Sequence, residues 1–209
     1  MKSVFRLFLF AAAFLLSGVA FSAAQFGTDY TMLATPQPAS TKKIEVMEFF
    51  FYECPHCFHL HNELMKWEKT MPGDVEMVYV PTIFRDSTEP LARAYYALGA
   101  LGKSKQLEDP IYQAIHVKNM DLHDLNSISA FVASQGVDKA KFISAYNSFT
   151  VNSEVTRAKQ MIRSYGINGT PTLIVDGRYV ITGLQPAATL RVLDDVIAMV
   201  RNERKRKAK

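Results

Sequence analysis

The hydrophobic pattern changes period along the chain, and each change marks an element. Ile44 to Phe51 is apolar on both faces, which predicts a strand buried in the middle of a sheet. A helix follows from Cys54 to about Thr70, stopped by Pro72-Gly73. Val75 to Ile83 is a second strand, and strand, helix, strand at this spacing predicts a parallel pair with a right-handed crossover. From Thr88 the period becomes helical. Leu91, Ala94, Tyr95, Leu98 and Leu101 share one face, and Leu125, Ile128, Phe131 and Val132 share another, closed by Gly136. Val155, Ala158, Met161, Ile162 and Tyr165 form a third face, closed by Gly166, so at least four helices are expected in the middle of the chain. Two more strands, Thr172 to Val175 and Tyr179 to Thr182, flank Asp176-Gly177, a strong hairpin signal. A last helix is expected from Pro186 to about Asn202, with Leu190, Leu193, Ile197 and Val200 inward. The plan is an α/β sheet opened to receive a helical insertion.

The first residues follow a different logic. Lys2 and Arg6 form a short positive segment, Leu7 to Leu16 is uninterruptedly apolar, and small residues at Ser22, Ala23 and Ala24 follow. This is the layout of a cleaved secretory signal, with Gln25 the expected mature start. The apolar run falls short of the ~20 residues that a membrane-spanning helix needs. With 48% hydrophobic and 21% charged residues the chain as a whole has ordinary globular composition. The net charge of +4 does not describe a basic face. The excess sits in the leader and in a tail holding Arg201, Arg204, Lys205, Arg206, Lys207 and Lys209, so the body between them is net acidic. A nucleic-acid binder needs its positive charge on a folded surface, and no such partner is expected. The tail is expected to be a solvated helix end, with at most weak contact to a membrane surface.

The chain has two cysteines, and both lie in Cys54-Pro55-His56-Cys57, where the first strand enters its helix. Positions i and i+3 of a first helical turn approach closely enough for a disulfide. Pro55 suits the first helical position, where its missing N–H costs nothing. Cys54 then faces the unpaired N–H groups of the helix start, which favour its thiolate, and His56 adds a donor or a positive charge beside it. Cys57, one turn deeper, should be less exposed. The expected roles are Cys54 as nucleophile and leaving group and Cys57 as resolving thiol. Each pKa unit removed from Cys54 favours the dithiol by up to about 1.4 kcal/mol, so a strong depression makes the disulfide an oxidant. A metal site built from Cys54, Cys57, His59 and His61 would need four ligands from one continuous helix to surround an ion tetrahedrally, which they cannot do. Haem attachment needs His directly after the second Cys, where Phe58 stands. A structural disulfide closing so short a ring would gain little.

The stretches Glu48-Phe49-Phe50-Phe51-Tyr52-Glu53-Cys54-Pro55-His56-Cys57 and Gly169-Thr170-Pro171-Thr172 resemble the DsbA family of thiol:disulfide oxidoreductases of the bacterial periplasm. The resemblance covers essentially all of residues 25–203. It implies a thioredoxin-like fold with an inserted helical domain: a first thioredoxin part over 25–83, the insertion over 84–153, a second part over 154–203 and the basic tail over 204–209, after a signal peptide over 1–24. It also implies that Pro171 is a cis-proline beside the disulfide, that Thr170 offers its backbone to an extended substrate, and that Glu48 is a buried acid beneath Cys57 able to relay its proton. The alternative for Glu48 is an ion pair with a lysine at the sheet end. Well-known members carry Val where this chain has Thr170, whose hydroxyl can bond a cysteine sulfur and alter the potential. The implied activity is donation of the Cys54–Cys57 disulfide to folding secreted proteins with free thiols. No organic or metal cofactor is implied, a DsbB-type membrane protein would serve as re-oxidant, and the protein would be a periplasmic monomer. Two rivals remain: a reductase or isomerase of lower potential, and a metal-binding or chaperone-like protein using Cys54, Cys57 and a histidine.

Overall fold

The computed structural model describes residues 23–39 and 42–207; residues 1–22 of the expected leader over 1–24, and residues 208–209 of the basic tail, lie outside them. A five-stranded sheet has the order β1-β5-β4-β2-β3, built from β1 (Thr31–Met32), β2 (Ile44–Phe50), β3 (Val75–Pro81), β4 (Thr172–Val175) and β5 (Tyr179–Thr182). β2 and β3 are parallel, joined through α1 (Pro55–Trp67), and the other pairs are antiparallel. Every residue of β2 is buried, as a strand apolar on both faces requires.

Side chains alternate across β2 and so divide the core. Ile44 and Val46 pack with Leu60 and Leu64 of α1 and with Val192, Leu193, Val196, Ile197 and Val200 of the C-terminal helix. Met47 and Phe49 face the other way, onto Ala158, Tyr165 and Ile167. Between β3 and β4 stand five helices: α2 (Glu89–Ala100), α3 (Ser104–His116), α4 (Leu125–Ser134), α5 (Lys139–Tyr146) and α6 (Phe149–Ser164). Their core (Leu98, Leu107, Ile111, Ile128, Phe142) is continuous with Phe50, Tyr52, Cys54 and Cys57. The site is therefore walled by the insertion. Helix α6 runs unbroken across the expected division at 153/154; its Val151 and Val155 belong to the insertion's core and its Ala158 to the sheet's.

Two ends differ from expectation. The lead-in contributes the short edge strand β1, and the last helix, α7 (Pro186–Lys207), extends through most of the basic tail. Arg201 holds Asp74 through two hydrogen bonds of 2.6 and 2.9 Å, and Arg204 bonds Asp176 and the carbonyls of Lys42 and Lys43. These contacts fix a segment that has no apolar period of its own.

The Asp176-Gly177 turn forms with both residues at positive φ, 55° and 64°. It is one residue longer than the two-residue hairpin: the Arg178 N–H reaches the Val175 carbonyl at 3.1 Å, and pairing resumes at Val175–Tyr179. A Cβ on Gly177 would lie 2.1 Å from the Gln37 carbonyl oxygen. Gly177→Ala should therefore cost more than ~1 kcal/mol, combining an unfavourable φ with a backbone clash. Urea unfolding should show a lower midpoint at unchanged slope; an unchanged midpoint would mean that the lead-in yields freely.

Candidate active site

Cys54 is the residue that caps α1. Its backbone is extended (φ −81°, ψ 117°), Pro55 follows in the first turn, and its sulfur accepts the Cys57 N–H at 3.4 Å. Cys54 is 6% exposed and Cys57 0%, so one sulfur of the pair can be reached by another molecule. Both cysteines are free thiols. The Thr170–Pro171 peptide is cis, and the Thr170 carbonyl oxygen lies 3.5 Å from the Cys54 sulfur, within reach of the protonated thiol. Residues separated by more than a hundred positions thus meet at one sulfur.

The two thiols are pushed in opposite directions. Cys54 falls from an ordinary 9.0 to about 5, first because the Cys57 thiol donates to its sulfur. Burial works against this. The Thr170 side chain and the backbone N–H groups of Cys57 and His56 add to the lowering. Cys57 is raised far above the ordinary range, first by burial, then by that same donated bond and by the neighbouring Glu48. His56 contributes through its backbone, and its side chain is exposed.

Glu48 lies on the face of β2 that carries Val46 and Phe50, between the two cores that meet at α1. It is 3% exposed, and its Oε1 has no hydrogen-bond partner. Burial raises its pKa well above 4.5, and the charges of Glu108, Glu68 and Cys54 raise it further. Among the described residues no ion pair of Glu48 with a lysine is seen, and the residue in register with it on β3 is Tyr79.

Several neighbours carry no signal in the sequence. His61 is buried against the Tyr112 ring at 4.7 Å, and its Nε2 has no hydrogen-bond partner. Burial lowers its pKa from 6.5. Glu108 of α3 approaches His61 Nδ1 at 4.0 Å and is raised to about 7, chiefly by burial and then by Glu68. His116, which also ends α3, bonds the Tyr52 carbonyl at 2.7 Å and stacks on Phe58 at 4.9 Å, fixing the loop that leads into Cys54. The i, i+4 spacing of Cys57 and His61 was visible in the sequence, but only the docking of α3 buries His61. Among the described residues, no three His, Cys, Asp or Glu side chains come together as a metal site.

A cysteine with a stabilised thiolate at a helix start, a buried partner thiol and a cis-proline beside them, on a thioredoxin-like sheet, define a dithiol–disulfide oxidoreductase. Residues 45–193 match the DSBA-like thioredoxin domain family. The chain is 37% identical over 184 residues to the thiol:disulfide interchange protein DsbA of Burkholderia cepacia, covering 85% of this chain and 86% of that one. It is 39% identical over 201 residues to DsbA of Bordetella parapertussis, covering 92% and 96%. The crystal structure of Pseudomonas aeruginosa DsbA superposes with a TM-score of 0.83 at 32% identity, covering 87% of this chain and 97% of that one. The chain belongs to the DsbA family, and its activity is that of a protein disulfide oxidoreductase.

Proposed function

We infer that Cys54 is the sulfur attacked by client thiolates, that Cys57 is the leaving thiol buried behind it, and that Glu48 supplies the proton Cys57 needs. The client thiolate adds to the Cys54 sulfur, the Cys54–Cys57 bond breaks, and the electron pair leaves on Cys57, which is protonated. The client's second thiolate then attacks its own sulfur in the mixed disulfide and expels Cys54 as a thiolate. The client leaves oxidised and the enzyme reduced, with no organic or metal cofactor involved. Thr170 and Pro171 border the sulfur where an extended client segment would lie. Export by the leader, action in the periplasm on folding secreted proteins and re-oxidation by a DsbB-type membrane protein complete the reading. No helix among the described residues is long and apolar enough to cross a membrane.

The observation that carries this reading is the opposite perturbation of the two thiols. At pH 7 an ordinary thiol is hardly ionised, so lowering Cys54 to about 5 favours the dithiol by at most about 2.7 kcal/mol, equivalent to ~60 mV in a two-electron couple. The test is the glutathione redox equilibrium of the Cys54–Cys57 pair as a function of pH. Below pH 5 reduction takes up two protons, and above it one, because Cys54 stays ionised and Cys57 does not. The potential should lie well above that of thioredoxin and fall by ~59 mV per pH unit below about pH 5 and ~30 mV above it. A thioredoxin-like potential with no break near pH 5 would instead identify a reductase or isomerase.

A further inference from the structure

Two successive backbone N–H groups at the expected cleavage junction each meet a carboxylate. The Gln25 N–H donates to Asp29 Oδ2 at 2.9 Å, and the Ala24 N–H donates to Asp195 Oδ2 of α7 at 2.9 Å. Arg191, one turn earlier on α7, lies 3.8 Å from Asp29 and 3.5 Å from Asp195. Two carboxylates thus share one guanidinium, and the N–H groups that meet them are neutral amides while the leader is attached. The cluster is one positive charge short of balance.

The other titratable groups on the elements around this cluster are engaged elsewhere. Asp194 of α7 accepts from Trp67 Nε1 at 2.8 Å, and the Tyr30 hydroxyl of the lead-in turns to the Met199 sulfur at 3.6 Å. Tyr179 of β5 donates to Glu203 at 2.7 Å, Arg178 pairs with Glu203 at 2.9 Å, and Lys66 of α1 pairs with Glu63 at 2.8 Å. The missing charge has a source in the chain itself. Hydrolysis of the Ala24–Gln25 bond leaves a carboxylate on the leader and an α-ammonium on Gln25, at the nitrogen that already meets Asp29. Successive backbone positions lie only about 3.8 Å apart, so the new charge also stands within one residue of the contact to Asp195. An ammonium brings one positive charge and three donors, and two carboxylates with one guanidinium are then balanced.

We propose that Asp29, Asp195 and Arg191 form a binding seat for the α-ammonium of the processed chain, so that removal of the leader locks the lead-in onto α7. The proposal rests on export with cleavage before Gln25, and not on the thiol chemistry. What is locked is an edge of the sheet. The Phe26 and Tyr30 rings meet edge-on at 5.7 Å, Tyr30 packs on Tyr179 at 5.9 Å, and Thr31–Met32 cover β5 as strand β1. A strand of two residues is too short to hold itself in place, and an uncovered β5 would offer its backbone to other chains. A hydrogen bond from an ammonium to a carboxylate is stronger than one from a neutral amide, so the lead-in is held more firmly in the mature chain than in its precursor.

N-terminal sequencing of the protein recovered from the periplasm first fixes the start, with Gln25 expected. A chain that keeps its leader would remove the export reading and the occupant of the seat together. The mature protein is then compared with the same protein after a glutaminyl cyclase has closed Gln25. In that product the amine has attacked the side-chain amide, ammonia has left, and the terminus is a neutral amide. Urea unfolding at about pH 6, where the amine is fully charged, should give the open form a folding equilibrium constant roughly threefold larger. The factor is modest because the seat is partly open to solvent. Carboxylates raise the pKa of an ammonium they hold, so the advantage is complete below the ordinary α-amino value and fades as pH rises through the higher folded one. In the double variant Asp29→Asn, Asp195→Asn, whose side chains still accept hydrogen bonds but carry no charge, closing Gln25 should change nothing at any pH. Equal effects of closure in wild type and double variant, or none in either, would overturn the seat. The redox equilibrium of the Cys54–Cys57 pair should be the same in all four forms, which separates failure of the seat from failure of the exchange reaction.

Discussion

With Cys57 replaced by serine, the protein should lose turnover completely and accumulate as mixed disulfides with proteins whose disulfides it attacks. Cys54 retains its position at the start of α1, and a serine hydroxyl can still donate to its sulfur in place of the thiol. It therefore remains a thiolate near neutral pH and attacks any accessible disulfide, forming a bond from Cys54 to the client. In the wild type Cys57 lies directly behind that bond and resolves it from within the core, where no other thiol can reach. Serine cannot. Acid-quenched, non-reducing electrophoresis should show high-molecular-weight species that collapse on reduction, contain client proteins by mass spectrometry, and vanish in the Cys54→Ser, Cys57→Ser double variant. A Cys57→Ser protein that stays wholly monomeric and adduct-free would end the exchange mechanism and revive the metal-binding rival.

The second large effect is on stability. The dithiol form should become steadily more stable than the disulfide form as pH rises from 5 to 9, by about 5 kcal/mol over the whole range at most. Cys54 has a folded pKa of about 5 and an unfolded value near 9.0, so the fold binds its proton less tightly than the unfolded chain does. Such a group contributes its full stabilisation above the unfolded value, and that contribution is lost as pH falls through the folded one. The disulfide form has no Cys54 proton to titrate, so the difference between the two forms isolates this residue. Glu48 and Glu108 titrate in both forms and largely cancel. The disulfide adds little in compensation, because so short a ring restricts the unfolded chain by only ~2 kcal/mol. Urea unfolding of both forms at several pH values checks this. A difference that stays flat from pH 5 to 9 would show that the Cys54 thiolate gains nothing from the fold, and the disulfide would then have no drive to leave it.

Much of this was legible locally. The C-x-x-C at a strand-to-helix junction was enough to place Cys54 as the cap and Cys57 inward, because capping and i, i+3 proximity involve only a few consecutive residues. Period and turn chemistry likewise located β2, β4, β5 and the helices α2, α4 and α6, while α3 and α5 had no face assigned from the sequence. The misses share one cause. β1 is two residues long and exists through its pairing with β5, about 150 positions away, so no period announces it. The end of α7 is held by Asp74 and Asp176, not by an apolar face. α6 crosses the expected boundary because successive turns of one helix meet two different cores. For Glu48 the sequence determined that an acid would be buried in an apolar strand. Only the register of β2 against β3 put Tyr79 rather than a lysine beside it, and only the docking of α3 brought Glu108 and buried His61. A chain segment specifies its own period, caps and turns. Strand register and the seating of an inserted domain are set by contacts between distant segments, and these decide what surrounds the buried thiol.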